Sequence, residues 1–197
     1  MRRLIPLLAM LGLAACSEPA MQEAAEETTE QLFIYSARHY DSDNQLYEAF
    51  TERTGIEVSV LQGGSDELTE RLSREGIASP ADILITVDAG RLWRAEEAQV
   101  LQPVSSELLE SRIPAHLRHP EGLWFGFSQR LRVIFYDPDK VDPAEVSRYE
   151  DLASQELEGE VCVRSSSNIY NQSLLASLVS HLGAEAAAEW ATGLVAN

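Results

Sequence analysis

Apolar residues along this chain alternate between short strand-like runs and longer stretches with one apolar face at helical spacing. The strand-like runs are residues 32–35, 56–61 and 81–87. Each is followed by a helical stretch, at residues 44–53, 65–75 and 89–100. The first and third runs are apolar almost throughout, which suits strands buried on both faces of a parallel sheet. This alternation predicts an α/β fold with a doubly wound, mostly parallel sheet.

The pattern is less regular after residue 100. Helical spacing predicts four further helices, at residues 107–112, 147–153, 170–182 and 184–195. Apolar runs predict three further strands, at residues 123–127, 131–136 and 161–164. Cys162 lies in the last of these runs, so we expect its thiol to be buried and inert.

The loop after the first strand carries candidate ligands. Arg38, His39 and Tyr40 follow the apolar run, and residues 41–43 offer N-caps for the next helix. In open α/β sheets, ligands bind at the carboxyl ends of the strands. Tyr40 can therefore offer a phenolate oxygen to a hard metal ion, or it packs over the helix start. His39 is a second ligand or a solvated turn residue.

Two other loops fall at the same predicted edge of the sheet. One contains Asp88, and the other runs from Ser165 to Tyr170. If the three loops converge, two phenols, an imidazole and a carboxylate meet there, a donor set that hard ferric iron prefers. Asp88 has a simpler role as the cap of the following helix. The serines at 165–167 either form a turn or bind an anion at a helix N-terminus.

A phenol has an ordinary pKa of about 10, so it is protonated at neutral pH until a bound cation displaces the proton. Neighbouring arginines favour the charged form of an acid. Binding of a metal through phenolates should therefore release protons and weaken on acidification.

The N-terminus has the order of features of an exported lipoprotein. Arg2 and Arg3 precede an apolar stretch at residues 4–13, and Leu-Ala-Ala then leads into Cys16. We predict a signal peptide at residues 1–15 and acylation of Cys16; the alternative is a plain secretory signal. Residues 16–30 are acidic and lack aromatic residues, which predicts a flexible tether.

The net charge and the absence of catalytic motifs exclude several classes of function. The formal net charge of −17 argues against nucleic acid and anionic lipid as partners. No Gly-x-Ser-x-Gly, His-Glu-x-x-His, Walker or Cys-x-x-Cys motif occurs, so we expect a protein that is not an enzyme. His116 and His119 are three residues apart in a loop-like segment, which is more typical of a plain loop than of a metal pair.

Four segments resemble the periplasmic ferric-ion-binding proteins of ABC iron importers, in the branch called iron-deficiency-induced protein A. They are IYSARHYDSDNQLYEAFTERTGI, SPADILITVDAGRLWRAEEAQVLQPV, IPAHLRHPEGLWFGFSQRLRVIFYD and VCVRSSSNIYNQSLLASLVSHLG. The resemblance runs from about Leu32 to Asn197. It implies a type II periplasmic-binding-protein fold, with a first α/β lobe at residues 31–128 and the beginning of a second at residues 129–197.

The resemblance also implies a function. It implies capture of Fe³⁺ by Tyr40, Tyr170 and, less directly, His39, outside the cytoplasm or in the cell envelope. Delivery would be to an ABC permease, by a monomer held at the membrane only through its lipid. A synergistic anion such as carbonate is expected in this family. Its candidate partners here are Arg38, Arg130 and Ser166.

One departure from the family pattern limits these expectations. The family completes its iron site with an adjacent Tyr-Tyr pair, and no such pair occurs here. The resemblance therefore implies an amino-terminal portion, one nearly complete lobe and the start of the next. Three alternatives stay open: the same fold binding another metal or an oxyanion, a non-functional fragment, and a hydrolase using a serine among residues 165–167.

Overall fold

The computed structural model describes residues 30–197, which begin with a three-stranded parallel sheet. Its strands are β1 (Gln31–Ser36), β2 (Glu57–Gln62) and β3 (Ile83–Ile85), in the order β2-β1-β3. Ile34 in the central strand pairs with Val60 on one side and Ile83 on the other. The three strands predicted first are therefore confirmed. The predicted signal peptide, Cys16 and all but the last residue of the tether lie outside the described residues.

Helices follow the strands as the hydrophobic pattern predicts. The six helices of the described chain are α1 (Asp41–Thr54), α2 (Ser65–Glu75), α3 (Ala89–Glu97), α4 (Glu107–Arg112), α5 (Ile169–Leu182) and α6 (Ala184–Ala196). Short 3₁₀ turns lie at Gly76–Ala78, Ala115–Leu117, Tyr149–Ala153 and Gln155–Leu157. The helix predicted at 147–153 is thus a 3₁₀ turn. No helix within residues 30–197 combines the length and apolar character that crossing a membrane requires.

Two hydrophobic clusters pack the helices against the sheet and against each other. The first packs Tyr35 of β1 against Leu68 and Leu72 of α2. The second packs Leu178 of α5 against Ala187 and Trp190 of α6. Burial of such side chains is the main favourable contribution to folding. The first cluster fixes the sheet edge where the predicted site lies, and the second fixes the C-terminal helix pair.

Helix α1 begins at Asp41, three residues before the predicted start at residue 44. Tyr40 is the N-cap residue and makes no side-chain cap, while Asp41 and Asp43 lie in the first turn. Carboxylates in that turn stabilise the helix through its dipole instead. Ser65 is likewise the first residue of α2 rather than its cap; its hydroxyl accepts a hydrogen bond of 2.8 Å from Thr86.

The strands predicted at 123–127, 131–136 and 161–164 were wrong. In the described part of the chain those segments are irregular, apart from one antiparallel bridge between Arg118 and Phe125. An apolar run becomes a strand only when a neighbour completes its ladder, and no neighbouring strand pairs with these segments. Leu131 and Phe135 are accordingly 90% and 91% exposed. Cys162 is exposed for the same reason, so its predicted burial was also wrong.

Candidate metal-binding site

The loop after β1 is shaped by a buried serine. The Oγ of Ser36 accepts a hydrogen bond of 3.1 Å from the backbone N–H of Arg38, which turns the chain as it leaves the strand. Arg38 then donates through Nε and Nη2 to the two carboxylate oxygens of Asp43, at 3.0 and 2.9 Å. This hydrogen-bonded pair lowers the pKa of Asp43 below its usual value and raises that of Arg38.

Tyr40 follows in this loop, is 43% exposed and has two arginines close to its ring. Arg130 donates from Nη2 to the phenol oxygen at 2.8 Å. The guanidinium carbon of Arg38 lies 5.1 Å from the ring centroid, and that of Arg130 lies 5.7 Å from it. The imidazole of His39 stacks on the ring, with 5.5 Å between centroids. A donor and two positive groups around one phenol suit an oxygen that carries negative charge.

Tyr170 occupies a similar environment in the first turn of α5. The side chain of Asn168 caps that helix by accepting a hydrogen bond of 3.0 Å from the backbone N–H of Tyr170. The guanidinium carbon of Arg132 lies only 3.6 Å from the centroid of the Tyr170 ring, and that of Arg164 lies 5.8 Å from it. Both phenols are therefore flanked by two arginines each.

One short segment connects the two phenols. Arg130 contacts Tyr40, and Arg132, two residues later, contacts Tyr170. The Cα atoms of residues two apart are separated by at most about 7 Å. Both phenols thus contact one short segment, although 130 residues of sequence separate the two tyrosines. Ligation by Tyr40, Tyr170 and His39 stays a prediction.

Asp88 takes the simpler of its two predicted roles. Its carboxylate accepts a hydrogen bond of 2.9 Å from the backbone N–H of Gly90 and caps α3, which confirms the capping prediction. The same oxygen accepts a second bond, of 2.5 Å, from the hydroxyl of Ser173 on α5. The backbone of Asp88 has φ of 76° and ψ of 139°, a region that residues other than glycine adopt at a cost of about 1–3 kcal/mol.

The serine-rich segment before α5 forms a turn, which was one of the two roles predicted for it; the other was anion binding. The backbone N–H of Ser167 donates to the Oγ of Ser165 at 3.2 Å. The side-chain amide of Gln172 donates to the carbonyl of Ser166 at 3.3 Å. Roles for Ser166, Arg38 and Arg130 in holding an anion stay predictions.

His119 is engaged in a structural contact. Its Nε2 lies 3.1 Å from one carboxylate oxygen of Glu96, and the indole N–H of Trp124 donates to the other at 3.1 Å. The loop is thereby fastened to α3, which agrees with the loop interpretation of the His116 and His119 pair. Within residues 30–197, no group of three or more His, Cys, Asp or Glu side chains is placed to hold a metal.

Sequence reasoning missed Arg132 and Ser173. Arg132 was detectable only through its position two residues after Arg130, since the segment that contains both is irregular and not the strand that its apolar run predicts. Ser173 gave no such signal, since a lone serine in a helix is uninformative. An apolar groove of about 600 Å³ between Leu109, Ile113, Leu117 and Phe127 includes neither phenol and has no arrangement of ligands for a cation.

Comparison with known proteins gives a consistent result. The family model for bacterial extracellular solute-binding proteins matches residues 78–197. Iron uptake protein A1 of Synechocystis sp. is 51% identical over 187 residues, covering 94% of this chain and 52% of that protein. A Trichodesmium IdiA (FutA) structure in complex with iron and citrate ligands is 56% identical, with a TM-score of 0.79, over 85% of this chain and 53% of that one.

A ferric-binding protein from Campylobacter jejuni is 44% identical, with a TM-score of 0.80, over 84% of this chain and 53% of that structure. The chain thus spans about half the length of the relatives it matches. The residues that the family model matches include α5 and α6, and with them Tyr170.

Proposed function

The chain belongs to the bacterial extracellular solute-binding proteins, and from that premise we propose that it captures ferric iron outside the cytoplasm through tyrosine phenolates. The iron is cargo that an ABC permease receives. Binding exchanges the ligands of the ferric ion and leaves the ion itself chemically unchanged, so the protein acts as a carrier rather than an enzyme.

The fold agrees with this family assignment. The solved relatives are ferric-binding proteins, and the similarity to them confirms the type II periplasmic-binding-protein fold that the sequence resemblance implies. We assign the parallel β2-β1-β3 sheet, with its flanking helices, to the beginning of the first lobe of that fold. The division into lobes at residues 128 and 129 is part of the proposal.

One observation carries the proposal: two phenols from distant loops share a single arginine-bearing segment. Tyr40 and Tyr170 each have two guanidinium groups close to the ring, and Arg130 donates directly to the Tyr40 oxygen. Ferric iron is a hard cation that prefers anionic oxygen ligands. Positive neighbours stabilise a phenolate and leave room for a small anion to complete the coordination. Arg38, Arg130 and Ser166 are the groups we assign to that anion, with carbonate as the candidate.

Location follows from the predicted leader. Cys16 would carry a lipid after removal of residues 1–15, and residues 16–30 would hold the binding domain away from the bilayer. Relatives named as periplasmic proteins support an extracytoplasmic site of action. We propose a monomer that contacts the membrane only through its lipid.

The test is a titration of the purified chain with a weak ferric chelate. A ferric–phenolate bond gives a visible charge-transfer band, so wild-type protein should become coloured at one equivalent. Tyr40→Phe and Tyr170→Phe should each lower the band and the affinity. Tyr136→Phe is the matched control, because Tyr136 is exposed and belongs to neither contact group. Absence of any band in the wild type overturns the proposal, and saturable binding of phosphate or Zn²⁺ without iron would favour the alternative cargo.

A further inference from the structure

A short hydrogen bond joins the end of the first sheet to the helix that carries Tyr170. Asp88 follows β3 at the carboxyl edge of the sheet, and Ser173 lies in the second turn of α5. The hydroxyl of Ser173 donates to the Oδ1 of Asp88 at 2.5 Å. The two residues are 85 positions apart in sequence, so the bond is a tertiary connection.

We propose that Asp88 and Ser173 form a positioning pair that holds the start of α5, and with it the phenol of Tyr170, at the carboxyl edge of the sheet. Neither residue touches the metal; both act through Tyr170. The inference rests on the proposed function, since it concerns the same ferric site.

The geometry of Asp88 supports a dedicated role. One carboxylate oxygen, Oδ1, accepts hydrogen bonds from both the backbone N–H of Gly90 and the hydroxyl of Ser173. The backbone has a positive φ of 76°, which a non-glycine residue keeps only when its surroundings hold it in place. Glycine would adopt this backbone conformation without strain, and it is also tolerated at the N-cap of a helix such as α3. The aspartate side chain therefore contributes what glycine cannot, a bond that reaches α5.

Close packing reinforces the connection. A Cβ atom at Gly90 would lie 3.2 Å from the Cδ1 of Ile169 in the first turn of α5, so α3 and α5 meet at that glycine. One turn along α3, Arg94 donates from Nη2 to the side-chain oxygen of Gln172 at 2.9 Å. Arg94 also pairs with Asp66 of α2 at 3.0 Å. The first turns of α5 thus contact α3 directly and are connected to α2 through Arg94.

The connection reaches Tyr170 through helix geometry. Ser173 lies three residues after Tyr170, and residues at that spacing are neighbours on a helix surface. A helix is stiff over one turn, so displacement of Ser173 moves Tyr170 with it. The guanidinium carbon of Arg132 also contacts the Tyr170 ring, at 3.6 Å from its centroid. The Asp88–Ser173 bond therefore fixes the phenol relative to the sheet edge on which Tyr40 stands.

The test uses paired variants of the full chain. Ser173→Ala removes the tie and leaves the cap of α3, and Asp88→Gly removes the carboxylate without straining the backbone. Asp88→Asn keeps an oxygen that accepts from both donors, so it serves as the conservative rescue. Ser177→Ala is the matched control, an exposed serine one turn further along the same helix. We expect Ser173→Ala and Asp88→Gly to weaken ferric binding about tenfold, the size expected for one hydrogen bond to a charged group, and Asp88→Asn and Ser177→Ala to bind as the wild type does.

A metal-free measurement separates positioning from stability. Hydrogen exchange of the peptide covering residues 168–174 should accelerate in Ser173→Ala, while the melting temperature changes little. Asp88→Gly also removes the cap of α3, but the two variants share the loss of the Ser173–Asp88 bond. The two losses of ferric affinity should therefore not add in Ser173→Ala/Asp88→Gly, because it is the shared bond that positions Tyr170.

Unchanged ferric affinity in Ser173→Ala, with a normal charge-transfer band, overturns this inference and leaves the proposed function intact. Additive losses in the double variant overturn it as well. A wild-type chain with no charge-transfer band overturns the proposed function and this inference together. If Asp88→Gly does not fold, Ser173→Ala and Asp88→Asn still decide the question.

Discussion

Arg130 donates a hydrogen bond of 2.8 Å to the phenol oxygen of Tyr40, across 90 residues of sequence. Two residues further on, Arg132 covers the ring of Tyr170. A single short segment therefore provides cationic contacts to both candidate ligands. Because a guanidinium is always protonated, this segment supplies fixed positive charge where the proposed phenolates would form, in a protein whose formal net charge is −17.

Replacing Arg130 should weaken ferric binding. Arg130→Gln removes the positive charge beside the Tyr40 oxygen and keeps a polar side chain of similar length. Hydrogen bonds to charged groups contribute about 1.5–3 kcal/mol, so we expect a loss of about ten- to a hundredfold in affinity. The measurement is a competition titration against a ferric chelate. Arg74→Gln is the control, since Arg74 is an exposed residue of α2; equal affinities in the two variants would contradict the role given to Arg130.

Much of this arrangement could be predicted from the sequence. Apolar runs locate β1, β2, β3 and the six α-helices to within a few residues, because those elements are stabilised by contacts close in sequence or by burial that the pattern encodes. The loop with Tyr40 and the turn with Tyr170 are visible as polar breaks after such runs. Asp88 could be predicted as a cap because a carboxylate before a helix has a local partner.

The rest depends on contacts that a sequence pattern does not encode. Leu131 and Phe135 belong to an apolar run, but a run becomes a strand only when another strand pairs with it. The bond from Ser173 to Asp88 and the stacking of Arg132 on Tyr170 connect segments that only the tertiary fold brings together. Side-chain partners of this kind follow from topology, so single-residue reasoning missed them.

Arg132 should affect the Tyr170 site by stacking. Arg132→Lys keeps the charge but lacks the planar group that covers the ring, so this substitution is not conservative here. Cation–π contacts at exposed sites are worth about 0.5–1 kcal/mol, and we therefore expect both Arg132→Lys and Arg132→Ala to lower ferric affinity about two- to fivefold. The charge-transfer maximum should also shift, because the phenol that donates to iron has a changed neighbour. Full retention of affinity and maximum in Arg132→Lys would show that charge alone matters.

Glu75 should give the fold a measurable dependence on acidity. The hydroxyl of Ser79, the guanidinium of Arg71 and the phenol of buried Tyr35 all donate to this carboxylate and lower its pKa. A carboxyl whose pKa is lowered on folding stabilises the protein above its unfolded-state pKa, about 4.3 for glutamate, and loses that effect as the pH falls through the lower folded value.

Glu75→Gln should therefore destabilise the protein most at neutral pH and progressively less below about pH 4. The measurement is the free energy of unfolding by denaturant at a series of pH values for both proteins. Glu70→Gln on the same helix is the control, because Glu70 makes only a long, exposed contact with Arg74. A difference between wild type and Glu75→Gln that stays constant from pH 7 to pH 3 would rule out this linkage.

Substitution of a buried apolar residue and of an exposed apolar residue should have very different effects on the free energy of unfolding. Leu68 is 2% exposed and packs against Tyr35, so Leu68→Ala should cost about 2–5 kcal/mol of unfolding free energy through lost burial and a residual cavity. Phe135 is 91% exposed, so Phe135→Thr should change that free energy by less than about 0.5 kcal/mol. The exposed side chain of Phe135 should instead bind a hydrophobic dye. Phe135→Thr should therefore reduce the fluorescence of the bound dye, whereas Leu68→Ala should leave that fluorescence unchanged or raise it. A large loss of stability in Phe135→Thr would mean that this segment packs against the domain in solution, and that its sequence-predicted strand forms after all.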